Sequence, residues 1–191
     1  MNAYPRRTAQ PTVEPITLAE ALHHLKEDSD LSLNDAYVSV LISVARQACE
    51  DRTERTMVST PWRLTLDAFP DAIPLHQPPI IAVQSVEYTD TNGVTQTLDP
   101  QDYTVDTVSV PGYIVPAFGK AWPATRDQIN AVRVNYTAGY GATAASVPKP
   151  LIQWMLLAIG DMYSNRNASS DRPAVKHNFV DSLLNPYTVM G

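Results

Sequence analysis

"VRVNYTAGYGATAASVPKPLIQWMLLAIGDMYSNR", Val132 to Arg166, carries the chain from one kind of structure into another. Val132, Val134 and Tyr136 alternate with polar residues, the period of a half-buried strand. Gly139 and Gly141 then break the pattern. After Pro148 and Pro150, Leu151, Trp154, Met155, Ala158 and Met162 recur at helical spacing. Proline is tolerated in a helix's first turn, where its missing N–H had no partner. Strand, glycine loop and helix is also the order of a phosphate-binding loop. That loop needs GxGxxG or GxxxxGK[ST] at the helix N-terminus. Here two glycines stand well ahead of the helix, behind two prolines, with Lys149 as the nearby cation. The stretch turns a corner from a β-region into a helix.

Upstream of it, Trp62, Leu64, Leu66 and Ala68 alternate, and Ile81, Val83, Val86 and Tyr88 lie in a second apolar run. Asp90-Thr91-Asn92-Gly93 reads as a hairpin turn. Short strands follow near 94–98, 103–106 and 112–115, and one at 131–137 closes the region. Strands about ten residues apart with turn signals between them predict a small antiparallel barrel or sandwich. Its expected core includes Trp62, Ile81, Val83, Val86, Val132 and Val134.

Helical texture flanks this region. Thr17-Leu18-Ala19-Glu20 is a capping box, and Leu18, Leu22 and Leu25 follow on one face. Asn34 or Asp35 caps a longer helix in which Tyr37, Val40, Leu41, Val44 and Ala48 keep the 3.6 period. Arg46–Glu50 and Asp51–Arg55 sit at i,i+4, the spacing of solvated ion pairs. A last short helix is predicted over 177–184. The fold expected is α+β: a small α-helical bundle core (16–60 and 148–166) with an inserted antiparallel β-barrel or sandwich domain (61–147). Residues 1–15, broken by Pro5, Pro11 and Pro15, read as a flexible N-terminal arm, and 167–191 as an extended C-terminal arm with a short helix. In that arm the polar stretch 167–176 leads to an apolar set, Phe179, Leu183, Leu184, Pro186, Tyr187 and Val189. Exposed apolar tails need a partner, so these residues are the candidate partner-binding site.

The chain has 191 residues, 44% hydrophobic, with a formal net charge of −6, so it carries no global basic field for nucleic acid. A lone cysteine, Cys49, allows no internal disulfide and fits a reducing compartment. MNAYPRRTAQPTVEP has no apolar signal region, and no run reaches the roughly 20 residues that span a bilayer. A protein of the cytoplasm, with no membrane partner, is expected.

No catalytic constellation stands out. His23-His24, His76 and His177 lack HExxH or CxxC spacing, so no metal site is expected. Cys49 lies mid-helix, where cysteine serves as a small hydrophobe. Asp67, Asp71, Glu87, Asp90, Asp99 and Asp102 fall around turns, which aspartate favours. The chain is read as a non-enzyme without a cofactor.

Residues 16–70, 78–106, 122–166 and 182–189 resemble, block by block, the tailed-phage head–tail connector (adaptor) proteins, in the branch with a β-domain inserted in the helical core. The motifs are Leu22-His23-His24-Leu25, Ala45 to Glu50 before Thr53, Pro61-Trp62, Tyr88-Thr89-Asp90, Tyr136-Thr137-Ala138-Gly139-Tyr140-Gly141, and Leu183-Leu184-Asn185-Pro186-Tyr187. The resemblance implies a structural virion protein. It implies a homo-oligomeric ring, a dodecamer, beneath the portal protein, joining it to stopper or tail-terminator proteins, with genomic DNA passing passively through the lumen. It also implies that the helices form the ring body and the C-terminal segment reaches toward the portal. Localisation follows as the virion neck, and the host cytoplasm during assembly. The simplest adaptors are purely helical, so the β-insertion departs from them and its role stays open. The alternatives are another neck or tail-completion protein, or a ligand-binding β-module on a helical stalk.

Overall fold

The computed structural model describes residues 4–26, 35–165 and 178–189. They form an α+β protein of two compact units. One comprises Met1–Pro11 with Ser59–Tyr140, and the other Thr12–Val58 with Gly141–Gly191.

The helical unit holds α1 (Leu18–Leu25), α2 (Asp35–Thr53), α3 (Lys149–Ser164) and α4 (Asn178–Ser182). The capping box forms as its sequence predicts. The Glu20 amide donates to Thr17 Oγ1 at 3.2 Å, and the Thr17 amide donates to Glu20 Oε2 at 2.8 Å. The core takes Leu22 from α1, Val38, Leu41, Ile42, Ala45 and Cys49 from α2, and Leu151, Trp154, Met155 and Ile159 from α3. Those α2 positions follow the 3.6 period, but Val40 and Val44, expected on the buried face, lie on the exposed side.

The ion pair expected in water is also inside. Arg46 and Glu50 are both buried, and Arg46 Nη1 donates to Glu50 Oε2 at 2.9 Å. Arg46 Nε reaches Glu14 Oε2 at 2.7 Å, so one guanidinium bridges two carboxylates. Glu50 Oε1 also accepts the Met57 amide at 3.0 Å, tying the segment after α2 back onto the helix. Burial opposes the Arg46 charge. The hydrogen bond and charge of Glu14, with Glu50, outweigh it and hold the guanidinium's pKa above its ordinary value. The second expected pair does not form. Asp51 accepts Gln47 Nε2 at 2.7 Å, while Arg55 donates to the Tyr187 carbonyl.

The β unit contains β1 (Tyr4–Arg7), β2 (Thr60–Leu66), β3 (Ile73–Leu75), β4 (Ile80–Thr89), β5 (Thr95–Thr97), β6 (Tyr103–Asp106), β7 (Gly112–Pro116) and β8 (Val132–Ala138). A five-stranded sheet runs β1-β2-β8-β4-β5 and a three-stranded sheet runs β3-β7-β6, with antiparallel neighbours throughout. Leu64, Leu66, Val86, Val132, Val134 and Tyr136 of the first share one core with Ile73, Leu75, Tyr103 and Ile114 of the second. Of the two forms expected, this is the sandwich; both sheets are open.

Three readings of the β unit differ from expectation. Residues 4–7, read as a flexible arm, form the edge strand β1, with Arg6 opposite Arg63 and Arg7 opposite Trp62. An edge position accommodates Pro5, which has no N–H to donate. The Thr8 amide extends the pairing to the Pro61 carbonyl at 3.0 Å. The second stretch of the β unit runs Ser59–Tyr140, so 141–147 groups with the helices. Finally, Ile81 is exposed and Ile80 takes the buried place. The register between β4 and β8 slips between Ile80 and Ala82 and again between Val83 and Ser85. Each irregularity shifts which residues face the core, so strict alternation from Ile81 fails. Val86, Val132 and Val134 are fully buried, while Trp62 and Val83 pack partly exposed against the core.

The hairpin between β4 and β5 is built by an aspartate. Asp90 Oδ1 accepts the amides of Asn92 (2.9 Å) and Val94 (3.0 Å), and Gly93 takes the left-handed conformation at φ +85°.

Candidate partner-binding surface

The apolar C-terminal residues fold back on their own helical unit. Asp181 Oδ1 meets Arg52 Nη1 at 2.5 Å. The Tyr187 carbonyl accepts Arg55 Nε, and the Val189 amide donates to the Thr53 carbonyl at 3.1 Å. Leu184 is buried at 4% exposure. Leu183, Tyr187 and Val189 are half-buried, and Pro186 is exposed. Phe179 belongs to α4, and its side chain lies outside the described residues.

The receptor for this segment is the C-terminal end of α2, and sequence reading missed it. Arg52 also stacks over the Trp154 ring at 5.2 Å, a cation–π contact that anchors the guanidinium used by Asp181. The missed signal was their position: Arg52 lies in the last turn of α2 and Arg55 just past its end, and both reach the C-terminal segment rather than their neighbouring carboxylates. An arm wholly outside the core is therefore corrected to a segment with one buried leucine and backbone ties to α2.

No group of three His, Cys, Asp or Glu among the described residues is placed to hold a metal ion. His23 and His24 lie on α1, the His76 carbonyl accepts the Tyr136 hydroxyl at 3.0 Å, and His177 lies outside the described residues. Cys49 is buried. Burial, with the Glu50 charge beside it, pushes its thiol up to about 12, leaving no thiolate for nucleophilic work at neutral pH. The glycine loop makes its corner: the Gly139 amide donates to the Pro79 carbonyl at 2.8 Å, and Gly139 has a φ of +133°. No described helix is long and apolar enough to cross a membrane.

The fold is shared with chains of gene transfer agent particles over nearly its whole length. A chain from the neck of an empty gene transfer agent particle, computed with C6 symmetry, superposes with a TM-score of 0.82 at 23% identity, covering 98% of this chain and 96% of that one. A chain from the virion of a native gene transfer agent particle gives 0.80 at 22% identity, with the same coverage. A third, from the neck of the native particle computed with C12 symmetry, gives 0.68 at 23% identity. No family model matches the chain. No curated protein sequence matches it either.

Proposed function

We propose that this chain is the head–tail connector (adaptor) subunit in the neck of a tailed-phage-like particle. Twelve copies form a ring beneath the portal protein and join it to stopper or tail-terminator proteins, while DNA passes through the lumen. The observation that carries this reading is end-to-end agreement of both units with neck chains of a gene transfer agent particle, at 98% and 96% coverage. The block-wise resemblance of the sequence to adaptors supports the finer role, and the C12 symmetry of one neighbouring neck supports the dodecamer. Phe179, Leu183, Leu184, Pro186, Tyr187 and Val189 are the proposed portal-contacting segment. The test is to isolate intact particles carrying a tagged copy and locate the tag. A twelvefold ring at the portal vertex is expected. Recovery in the free soluble fraction, with particles complete without it, overturns the reading.

A further inference from the structure

The C-terminal segment cannot serve its own subunit and a partner with the same atoms at the same time. Leu184, the best buried of its apolar set, is closed off within the helical unit. The Leu184 carbonyl accepts the amides of Tyr187 (2.8 Å) and Thr188 (3.0 Å), which closes the turn that carries the chain onward. The next groups are taken by α2: the Tyr187 carbonyl by Arg55, and the Val189 amide by the Thr53 carbonyl. To offer Leu184 to a partner, the segment must leave this seat.

The seat is built to outlast the segment. Thr53 is the last residue of α2, and its carbonyl is one of the acceptors that a helix C-terminus leaves without an intrahelical donor. Its hydroxyl is fixed separately, donating to the Cys49 carbonyl at 2.7 Å. Arg52 is held over the Trp154 ring whether or not Asp181 is present. The attachment itself is light. The Arg52–Asp181 pair is more than half exposed on both sides, so solvent weakens it. α4 is five residues long and the turn after it three. Few buried apolar contacts and exposed polar ties are the marks of an element that opens locally while the rest stays folded.

We infer that the C-terminal segment is a latch, closed on the end of α2 in the free subunit, that opens when the segment meets the portal. The inference rests on the portal-contact reading above and adds the regulation of that site. While the latch is closed, only the open fraction of subunits can bind, and apparent affinity falls by that fraction. The portal opens it only by holding the released segment more tightly than α2 does.

Full-length variants test this. Asp181→Lys sets two cations against each other across the latch and leaves Leu184 and the Arg52–Trp154 stack in place. R52E/D181K restores the attraction with the charges exchanged, and Arg55→Glu opens the latch from the other tie. Hydrogen exchange at the Val189 amide reads the latch. Co-sedimentation with portal-bearing heads assembled without this chain reads attachment. Asp181→Lys and Arg55→Glu should each speed exchange and bind heads about threefold or more tightly than wild type, the scale on which an exposed ion pair moves a two-state equilibrium. R52E/D181K should return both readings to wild type. Unchanged exchange in both single variants, or faster exchange without tighter binding, overturns the latch and leaves the portal reading standing. Tighter binding that persists in R52E/D181K comes from the introduced lysine and also overturns the latch. A chain lacking residues 175–191 that binds heads as well as wild type overturns the portal reading, and the latch with it.

Discussion

Arg46 and Glu50 stand one turn apart on α2 and are joined at 2.9 Å with both side chains almost wholly out of water. On the same helix, Gln47 and Asp51 make the same i,i+4 contact at 2.7 Å in solvent. The local spacing is identical and the energetics are not. Glu50→Ala strips Arg46 of one of its two carboxylates and the Met57 amide of its acceptor. Removing one partner of a buried pair costs about 3–5 kcal/mol, while Asp51→Ala should fall within about 0.5 kcal/mol. Urea unfolding checks both. A double variant, Arg46→Met with Glu50→Leu, should cost less than Glu50→Ala alone. If Glu50→Ala and Asp51→Ala prove equal, the buried bridge does not exist in solution.

The sandwich core makes a second pair of opposites. Val134 is fully buried between β2 and β4, and Ile81 is 46% exposed. Val134→Asp places an unpaired charge in an apolar site and should destabilise by several kcal/mol, on the order of 3–5. Ile81→Asp should cost about 0.5 kcal/mol or less. Thermal melts of the two variants decide whether the register slip in β4 is real, because unslipped alternation from Ile81 makes both substitutions severe.

These contrasts mark how far the sequence can be read. The capping box at Thr17, the hairpin at Asp90, the strands β5 to β8 and the proline-led α3 were legible because each is written in neighbouring residues. β1 was not: nothing within YPRR distinguishes a frayed terminus from an edge strand, and its partner lies more than fifty residues away in β2. The burial of Arg46 was hidden for the same reason, since Glu14 reaches it from thirty-two positions upstream. The segment containing Leu184 was correctly seen as apolar, but its seat at the end of α2 depends on Arg52, Arg55 and Trp154 meeting in space.

The α1 cap gives a pH prediction. The Thr17 backbone amide, then the Thr17 hydroxyl, hold the Glu20 carboxyl below its ordinary value of 4.5. A depressed carboxylate binds fewer protons in the folded state, so its contribution is present above pH 4.5 and fades as pH falls through the lower folded value. Glu20→Gln should therefore flatten the acid limb of stability below pH 4.5 and leave its slope near neutrality unchanged. Thr17→Ala should cost about 0.5–2 kcal/mol at neutral pH. An acid limb identical in wild type and Glu20→Gln would remove the cap from the account.

The C-terminal segment separates docking from partner binding by burial. Leu184 is 4% exposed and Pro186 is in solvent, two residues apart. Leu184→Ala opens a cavity and should cost about 2–4 kcal/mol in urea unfolding. Pro186→Ser touches no buried contact and should leave stability within about 0.5 kcal/mol. If the segment meets the portal, Pro186→Ser should nonetheless lower the yield of complete particles when it replaces the wild-type copy. Deleting residues 175–191 should leave the helical content largely intact, because α1, α2 and α3 keep their own core. The same deletion should reduce stability by about the Leu184 term and abolish attachment to portal-bearing heads. Full particle yield from the deletion would show that the segment serves only its own subunit.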